Sequence, residues 1–298
     1  MQHSRYDSIR FERLPLFPAS LVRVLRHVRD PEITADSLRS LLGIDQDFSE
    51  EVVRLAGLPL FGARFEVHGL AQAIAVLGRD RFYDLLFTVS ALNLFRDEGT
   101  CPLDAAILRA HSLACAVLAR DLSRRLQIGE EGLAYRAGLV HDIGILALGA
   151  GAKEALGRVL TKAAENQLPL DTFEETMLGL DHGLSGQWYA EKLDLEPPII
   201  GAIRYHHNPG EAQGDARGLA ALVGFSDYLC RASGVGYGFV ESLDPANGLE
   251  RLSAWKVLCD ERPALRGLNI RSIAGELMER LPALQEAALE LCGEPVLP

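Results

Sequence analysis

The residues of this sequence best suited to chemistry are His141 and Asp142, adjacent in the apolar segment AGLVHDIGILALGAGA at 137–152. They are the only ionisable side chains in that segment. If the segment is one helix, Asp142 shares a face with Leu139 and Leu146 and points into the core. Burial of an ionised carboxylate is costly unless a cation or several donors compensate it. A metal ion shared with His141 would supply that cation. The simpler alternative is a capping Asp142 beside an ordinary core histidine.

Further imidazole and carboxylate groups lie on or next to apolar helices in the middle of the chain. For each of them alone, core packing or helix capping is the better explanation. Together they are the ligand types that divalent ions take up, and two ions bridged by one carboxylate commonly hydrolyse phosphoesters. The sequence therefore predicts a divalent-metal site built from His111, His141, Asp142, His182, His206, His207 and Asp227.

The elements that position these residues are predicted to be helices, because no segment shows the sustained alternation of a strand. The predicted fold class is all-α. A helix over Leu103–Leu126 turns His111 toward the core, since the apolar residues around it recur every three or four positions. Helices on either side of the loop DLEPP bring His182 and the pair His206 and His207 into the same region, and Asp227 lies in the apolar helix LAALVGFSDYLCRA.

Turn and capping signals divide the rest of the chain into short helices. The long C-terminal helix is expected to dock on the core through one apolar stripe. The predicted elements are a helix after Pro18, N-caps at Thr34 and Ser49, helices on either side of Gly78, a capping box from Asp171 to Glu174, and a C-terminal helix with a kink at Pro282 and a stripe of Ile270, Ile273, Leu277 and Leu281.

The composition limits the class of protein. The chain has 298 residues, of which 48% are hydrophobic and 24% charged, as in a soluble globular protein. A formal charge of −11 without a basic block disfavours binding to nucleic acid or to an anionic membrane. The five cysteines show no CxxC spacing and no signal peptide precedes them, which favours the cytoplasm. The apolar run around Asp142 is broken by glycines and falls short of a membrane span.

The order His111, then HDIG, then Asp227 resembles the HD superfamily of metal-dependent phosphohydrolases. More closely, the chain from about Leu14 to Tyr228 resembles the HDOD domain, an HD-related output domain of bacterial signalling proteins. The resemblance implies an N-terminal helical subdomain (14–100) packed on an HD-type helical core (101–235), followed by a C-terminal helical extension (236–298). The motifs that carry it are LPLFPASLVRVL, RLAGLPLFG, LAQAIAVLG, HSLACAVLARDL, AGLVHDIGIL and DHGLSGQWYAEKLDLEPPIIGAIRYHHNP.

HDOD proteins are generally regarded as regulatory modules, so the resemblance implies signal transduction through a protein partner or a small ligand, with a nucleotide as a candidate. The implied cofactor is a divalent metal such as iron or manganese, as one or two ions. The related HD-GYP phosphodiesterases share the seven site residues. They have a lysine where this chain has Ile145 and a glutamate where it has Asn208, and the chain has no GYP loop. These differences argue against cleavage of cyclic dinucleotides.

The alternative function is a metal-dependent phosphohydrolase that acts on a nucleotide or cyclic nucleotide. Its nucleophile would be a water held between two metal ions. Arg204 would contact the phosphate of the ligand. The first ion would be held by His111, His141, Asp142 and Asp227, and the second by His182, His206 and His207.

Overall fold

The computed structural model describes residues 14–17, 46–58, 61, 67–95, 101–239, 241–243 and 248–293, with isolated positions at 22, 27, 30, 32, 34, 36, 37 and 40. Within these residues the chain is helical and contains no strand, which confirms the all-α prediction. Two compact units are present, a smaller one at Pro15–Leu94 and a larger one at Phe95–Gly293. Among the described helices, none combines the length and apolarity needed to cross a lipid bilayer.

The smaller unit contains helices α1 (Gln46–Ala56), α2 (Leu70–Leu77) and α3 (Arg79–Leu94). Gly78 separates α2 from α3 as predicted; its φ of 76° is readily adopted only by glycine. The predicted N-cap at Thr34 is confirmed, since its hydroxyl accepts a hydrogen bond from the amide of Ser37 at 3.0 Å. The N-cap predicted at Ser49 is wrong, because α1 begins at Gln46 and Ser49 lies within its first turn. Most of the helix predicted after Pro18 lies outside the described residues.

The larger unit begins with α4 (Ala105–Leu126), α5 (Glu131–Val140) and α6 (Ile143–Asn166). Asp104 caps α4 by accepting hydrogen bonds from the amides of Ala106 and Ile107. A single helix through His141 and Asp142 was expected, but the two residues form a turn between α5 and α6. Asp142 has φ −98° and ψ 11°, outside the helical region, so its side chain does not lie on a helix face with Leu139 and Leu146.

The next helices bring the remaining candidate residues to the same unit. They are α7 (Asp171–Leu178), α8 (His182–Lys192), α9 (Pro197–Tyr205) and α10 (Asp215–Ala232). Asp181 caps α8 by accepting from the amide of Leu184 at 2.6 Å, which fixes the start of the helix at His182. Pro197 and Pro198 open α9, where proline is tolerated because the first helical amides have no partner within the helix. Helix α8 packs against α6 and α9, and α10 packs against α4 and α9.

The last described helices are α11 (Ser253–Glu261) and α12 (Ile270–Gly293), which continues through Pro282. Helix α12 packs against α4. Ile270, Leu277 and Leu281 are buried, as the predicted stripe requires, while Ile273 is half-buried. Ion pairs from Arg125 to Glu276 and from Arg280 to Asp121 join the two helices. The docking predicted for this helix is therefore confirmed.

Candidate metal centre

The carboxylate of Asp142 lies at the centre of the candidate site, between two groups of histidines. Its Oδ2 atom is 3.4 Å from Nε2 of His111 and 3.3 Å from Nε2 of His141. Its Oδ1 atom is 3.4 Å from Nε2 of His182 and 3.8 Å from Nε2 of His206. One carboxylate thus offers a different oxygen to each group. We call His111, His141 and Asp227 the first group, and His182, His206 and His207 the second group.

The structure brings all seven predicted residues together, although they come from five separate parts of the larger unit. His111 is on α4, His141 and Asp142 form the turn before α6, and His182 begins α8. His206 and His207 follow α9, and Asp227 is on α10. The potential ligand atoms of the first group lie within 4.8 Å of one another, and so do those of the second group.

Backbone carbonyl groups orient three of the imidazole rings. Nδ1 of His111 lies 2.7 Å from the carbonyl oxygen of Val235, Nδ1 of His141 2.8 Å from that of Gly138, and Nδ1 of His206 2.8 Å from that of Ile203. A carbonyl oxygen only accepts, so each Nδ1 carries the proton, and a neutral ring then presents a lone pair at Nε2. This is the usual way in which a protein orients a metal-binding histidine.

Several atoms that face this centre have no hydrogen-bond partner among the described residues. They are Nε2 of His111, Nε2 of His141 and Oδ1 of Asp142, all on fully buried side chains. Buried polar atoms are usually paired, because an unpaired one loses its hydration without compensation. Two imidazole lone pairs and a carboxylate oxygen that point to one region require a proton or a metal cation there. The residues therefore fit a divalent ion.

The charges around the first group raise the pKa of His111 and lower the pKa of Asp142. Burial alone would lower the pKa of His111, but the carboxylates of Asp142 and Asp227 outweigh it and raise the pKa to about 10. Burial alone would raise the pKa of Asp142, but His141, His111 and His182 hold that pKa well below its usual range. Without a metal, a proton on His111 therefore offsets the negative charge of the two carboxylates of the first group.

The second group consists of three imidazole rings in direct contact. Nε2 of His182 lies 3.2 Å from Nε2 of His206 and 2.8 Å from Nε2 of His207. Burial, together with the neighbouring His141 and His182, lowers the pKa of His206 to about 3. Burial would also lower the pKa of His182, but Glu174 outweighs it and raises the pKa to about 10.

Glu174 contacts a residue of the candidate site, whereas its spacing from Asp171 predicted a capping box. The predicted capping box with Asp171 is not formed, since the N-cap of α7 is Leu170 and no side chain caps the helix. The Oε2 atom of Glu174 instead accepts from the backbone amide of His182 at 2.8 Å and from its Nδ1 at 2.6 Å. The available signal was its spacing of four residues from Leu170 and Leu178, which places Glu174 on the apolar face of α7.

Asp227 is held by a buried cation. Arg231, one turn further along α10, donates from Nε and Nη2 to both carboxylate oxygens of Asp227 at 2.9–3.0 Å. Its Nη1 atom donates to Glu241 at 2.6 Å. Burial would raise the pKa of Asp227, but Arg231, His111 and His141 hold that pKa well below its usual range. The spacing of four residues between Asp227 and Arg231 in the sequence could have predicted this pair.

Tyr237 covers the first group and was not predicted as part of the site. Its hydroxyl donates to Oδ2 of Asp142 at 2.9 Å, and its ring centroid lies 5.1 Å from that of His111. Burial and the nearby carboxylates raise the pKa of Tyr237 above its ordinary value, so the phenol stays protonated and acts as a donor. The first group is thereby enclosed by the segment after α10.

Two glycines allow the histidine-bearing segments to approach the centre. A Cβ atom built on Gly144 would lie 1.8 Å from the carbonyl oxygen of His182, and one built on Gly224 would lie 2.0 Å from that of His206. Real Cβ atoms essentially never come this close to another heavy atom. Gly144, the glycine of the HDIG motif, thus has a packing function: its missing side chain leaves room for the backbone of His182.

A surface pocket of about 300 Å³ adjoins the second group at His207, whose side chain is 19% exposed. Arg204, the predicted ligand contact, lines this pocket with Asp181 and Asn208. Its Nη1 atom lies 3.2 Å from both carboxylate oxygens of Asp181. Arg204 is therefore beside the histidine cluster and not part of it, and its charge is already paired.

Comparison with known proteins links this site to one family. A model of the HDOD domain matches residues 14–209. The crystal structure of an HDOD domain protein with unknown function from Geobacter sulfurreducens aligns with a TM-score of 0.82 at 27% identity, covering 96% of this chain and 98% of that one. A candidate phosphohydrolase from Shewanella amazonensis SB2B aligns with a TM-score of 0.72 at 18% identity over 97% of both chains. The latter similarity concerns the fold alone.

A similar relative among curated proteins is an uncharacterized protein of Treponema pallidum (strain Nichols), 23% identical over 224 residues. That alignment covers 74% of this chain and 43% of the relative, so the chain spans less than half of the relative's length. The match to the HDOD model covers more than half of this chain and includes six of the seven site residues. The chain belongs to the HDOD domain family.

Proposed function

We propose that this protein is a signalling module of the HDOD family that holds one or two divalent ions, such as iron or manganese, at the histidine and aspartate centre. It would act by binding a protein partner or a small ligand, with a nucleotide as a candidate. The ligands would be Asp142 with the first group for one ion, and Asp142 with the second group for the other. A bound divalent ion supplies positive charge that can polarise a phosphate or another oxygen ligand.

A single observation carries the metal proposal. The two oxygens of Asp142 face two separate sets of imidazole Nε2 atoms. Three potential ligand atoms, Nε2 of His111, Nε2 of His141 and Oδ1 of Asp142, have no hydrogen-bond partner among the described residues. A purely structural polar core would be expected to satisfy these atoms by hydrogen bonds. Divalent ions of borderline hardness take imidazole nitrogen together with carboxylate oxygen.

The charges of the pocket argue against rapid hydrolysis of a substrate with several phosphates. Its lining includes the carboxylates of Glu175, Asp181 and Glu211 but only one guanidinium, that of Arg204, which is paired with Asp181. A substrate with several phosphates would meet a predominantly negative surface. Ile145 is fully buried and adds no charge to the centre. Rapid phosphoryl chemistry needs positioned cations around the phosphate, and these residues do not provide them.

The signalling part of the proposal is supported by the family. A candidate signal transduction protein from Marinobacter aquaeolei VT8 aligns with a TM-score of 0.73 at 23% identity, covering 95% of this chain and 60% of that one. The alternative, a metal-dependent phosphohydrolase, is supported by the bridging position of Asp142. The two functions differ in turnover, which can be measured directly.

We predict that protein loaded with manganese or iron does not hydrolyse cyclic dinucleotides or linear nucleotides at a useful rate. The measurement is product formation by chromatography, with the Asp142→Asn variant as background. Release of product at roughly 1 per second or faster, lost in that variant, would establish the phosphohydrolase alternative.

We also predict that metal binding releases protons and strengthens as the pH rises. His111 and His182 have pKa values of about 10 in the metal-free protein, so both are protonated near neutral pH and must lose a proton before Nε2 can bind an ion. Each proton displaced makes the apparent affinity rise about tenfold per pH unit between about pH 6 and about pH 8. Calorimetric titration with Mn²⁺ in buffers of different ionisation enthalpy measures the release. Equal heats in all buffers would contradict the prediction.

A further inference from the structure

We propose that Glu174 is the positioning residue that enables the second group to bind its own divalent ion, by acting through His182. The inference rests on the proposed metal centre and specifies how the second ion is held. Glu174 belongs to α7, outside the set of residues predicted as ligands, and it has no direct place in either group.

The contact between Glu174 and His182 is short and completely buried. Both side chains have no exposed surface, and the Oε2 atom of Glu174 lies 2.6 Å from Nδ1 of His182. The other histidines oriented through Nδ1 use a neutral backbone carbonyl, as His111, His141 and His206 do. Among the described rings that are oriented through Nδ1, His182 is thus the one whose Nδ1 lies within hydrogen-bond distance of a carboxylate. A carboxylate behind a histidine increases the basicity of the ring nitrogen that faces a metal.

The contact between Glu174 and His182 matters because the two groups differ in the number of carboxylates close to them. The first group brings its own carboxylate, that of Asp227, in addition to the shared Asp142. The second group consists of three imidazoles. Within the part of the chain that the structure describes, the shared Asp142 is the only carboxylate within 4.0 Å of a ring Nε2 in this group, and Asp171 lies 4.0 Å from Nδ1 of His207. A divalent ion in a buried site needs nearby negative charge to offset its lost hydration. Glu174 supplies that charge on the opposite side of His182.

The state of Glu174 itself points the same way. Its Oε1 atom is buried and has no hydrogen-bond partner among the described residues. A buried carboxylate with one unpaired oxygen gains from positive charge close by, and a divalent ion bound to His182 would supply it. The rival role is structural, because Oε2 also accepts from the backbone amide of His182 at the start of α8. Removal of the charge alone separates the two roles.

The test uses Glu174→Gln in the full chain, since glutamine keeps an oxygen that can accept from His182 but carries no charge. Chelator-treated protein is titrated with Mn²⁺, and free manganese is followed by electron paramagnetic resonance. We expect the unaltered protein to bind two ions, and the variant to bind the first unchanged and the second about 10–100-fold more weakly. Glu154→Gln, on the exposed surface of α6, is the matched control and should behave as the unaltered protein does.

Two results would overturn the assignment while leaving the metal centre intact: an unchanged second ion in Glu174→Gln, or equal weakening of both ions. Binding of only one ion by the unaltered protein would also overturn it. Failure of the unaltered protein to bind any Mn²⁺ would refute the metal centre itself, and this assignment with it. If Glu174→Gln does not fold, Glu174→Asp replaces it. The shortened carboxylate must then weaken the second ion and leave the first unchanged, and any other pattern counts against the proposal.

Discussion

Replacement of Asp142 by asparagine is expected to abolish binding of divalent metal at both groups. Asp142 offers one oxygen to His111 and His141 and the other to His182 and His206, so both ions would lose a ligand and its negative charge. The loss should exceed about 100-fold in affinity, the upper end of what removal of an outer partner of a ligand costs. Metal content after purification without chelator, measured by plasma mass spectrometry, gives the result.

The matched control for this variant is Asp121→Asn. Asp121 is also a buried aspartate of the larger unit, but it pairs with Arg124 and Arg280 away from the histidines. It should change stability without changing metal content. Absence of metal from the unaltered protein would mean that the cluster is a hydrogen-bonded polar core. Retention of metal by Asp142→Asn would mean that Asp142 is not an essential ligand.

Replacement of Gly144 by alanine is expected to destabilise the protein and to disrupt the second group. The new methyl group would lie 1.8 Å from the carbonyl oxygen of His182, and a backbone atom cannot yield as a flexible side chain can. Overpacking in a tight core costs about 1–3 kcal/mol and sometimes more, and this contact is far below the van der Waals distance. We therefore expect a loss of about 3 kcal/mol or more in the free energy of unfolding.

Chemical denaturation of the metal-free protein measures that loss, and manganese titration measures the effect on the second group. Gly275→Ala is the matched control, since Gly275 is an exposed helical glycine of α12 with no atom within 4 Å of the position that a Cβ atom would occupy. Alanine there should stabilise the helix by about 0.5–1 kcal/mol. Equal stability of Gly144→Ala and the unaltered protein would refute the packing function assigned to the HDIG glycine.

The helical fold and the composition of the site could be predicted from the sequence because both leave local signals. Helix caps and breaks such as Thr34 and Gly78 depend on the backbone of a few residues. The site residues could be found because ionisable groups such as Asp142 and Asp227 are rare among apolar neighbours, and both are indeed buried. A charged side chain in an apolar segment needs a compensating partner, but the sequence does not identify which residue or ion that partner is.

The residues that contact the site come from distant parts of the chain, and these contacts could not be predicted from the sequence. The turn at His141 and Asp142 replaced the expected continuous helix, and its local residues give no clear break signal. Tyr237 reaches Asp142 from 95 positions further along the chain, in a segment without periodicity. Glu174 looked like a capping residue because the Asp171–Glu174 spacing is the same for a capping box as for a buried contact on one helix face.

The enclosure of the first group by Tyr237 affects how fast an ion bound at each group would exchange with solvent. His111, His141 and Asp142 have no exposed surface, whereas His207 is open to the pocket. Opening the first group on the side of Tyr237 would break the contacts of Val235 and Tyr237 with His111 and Asp142, which is a local unfolding event. The second group can equilibrate with its surroundings while the fold stays closed. We therefore expect a divalent ion to exchange faster at the second group, through His207, than at the first group.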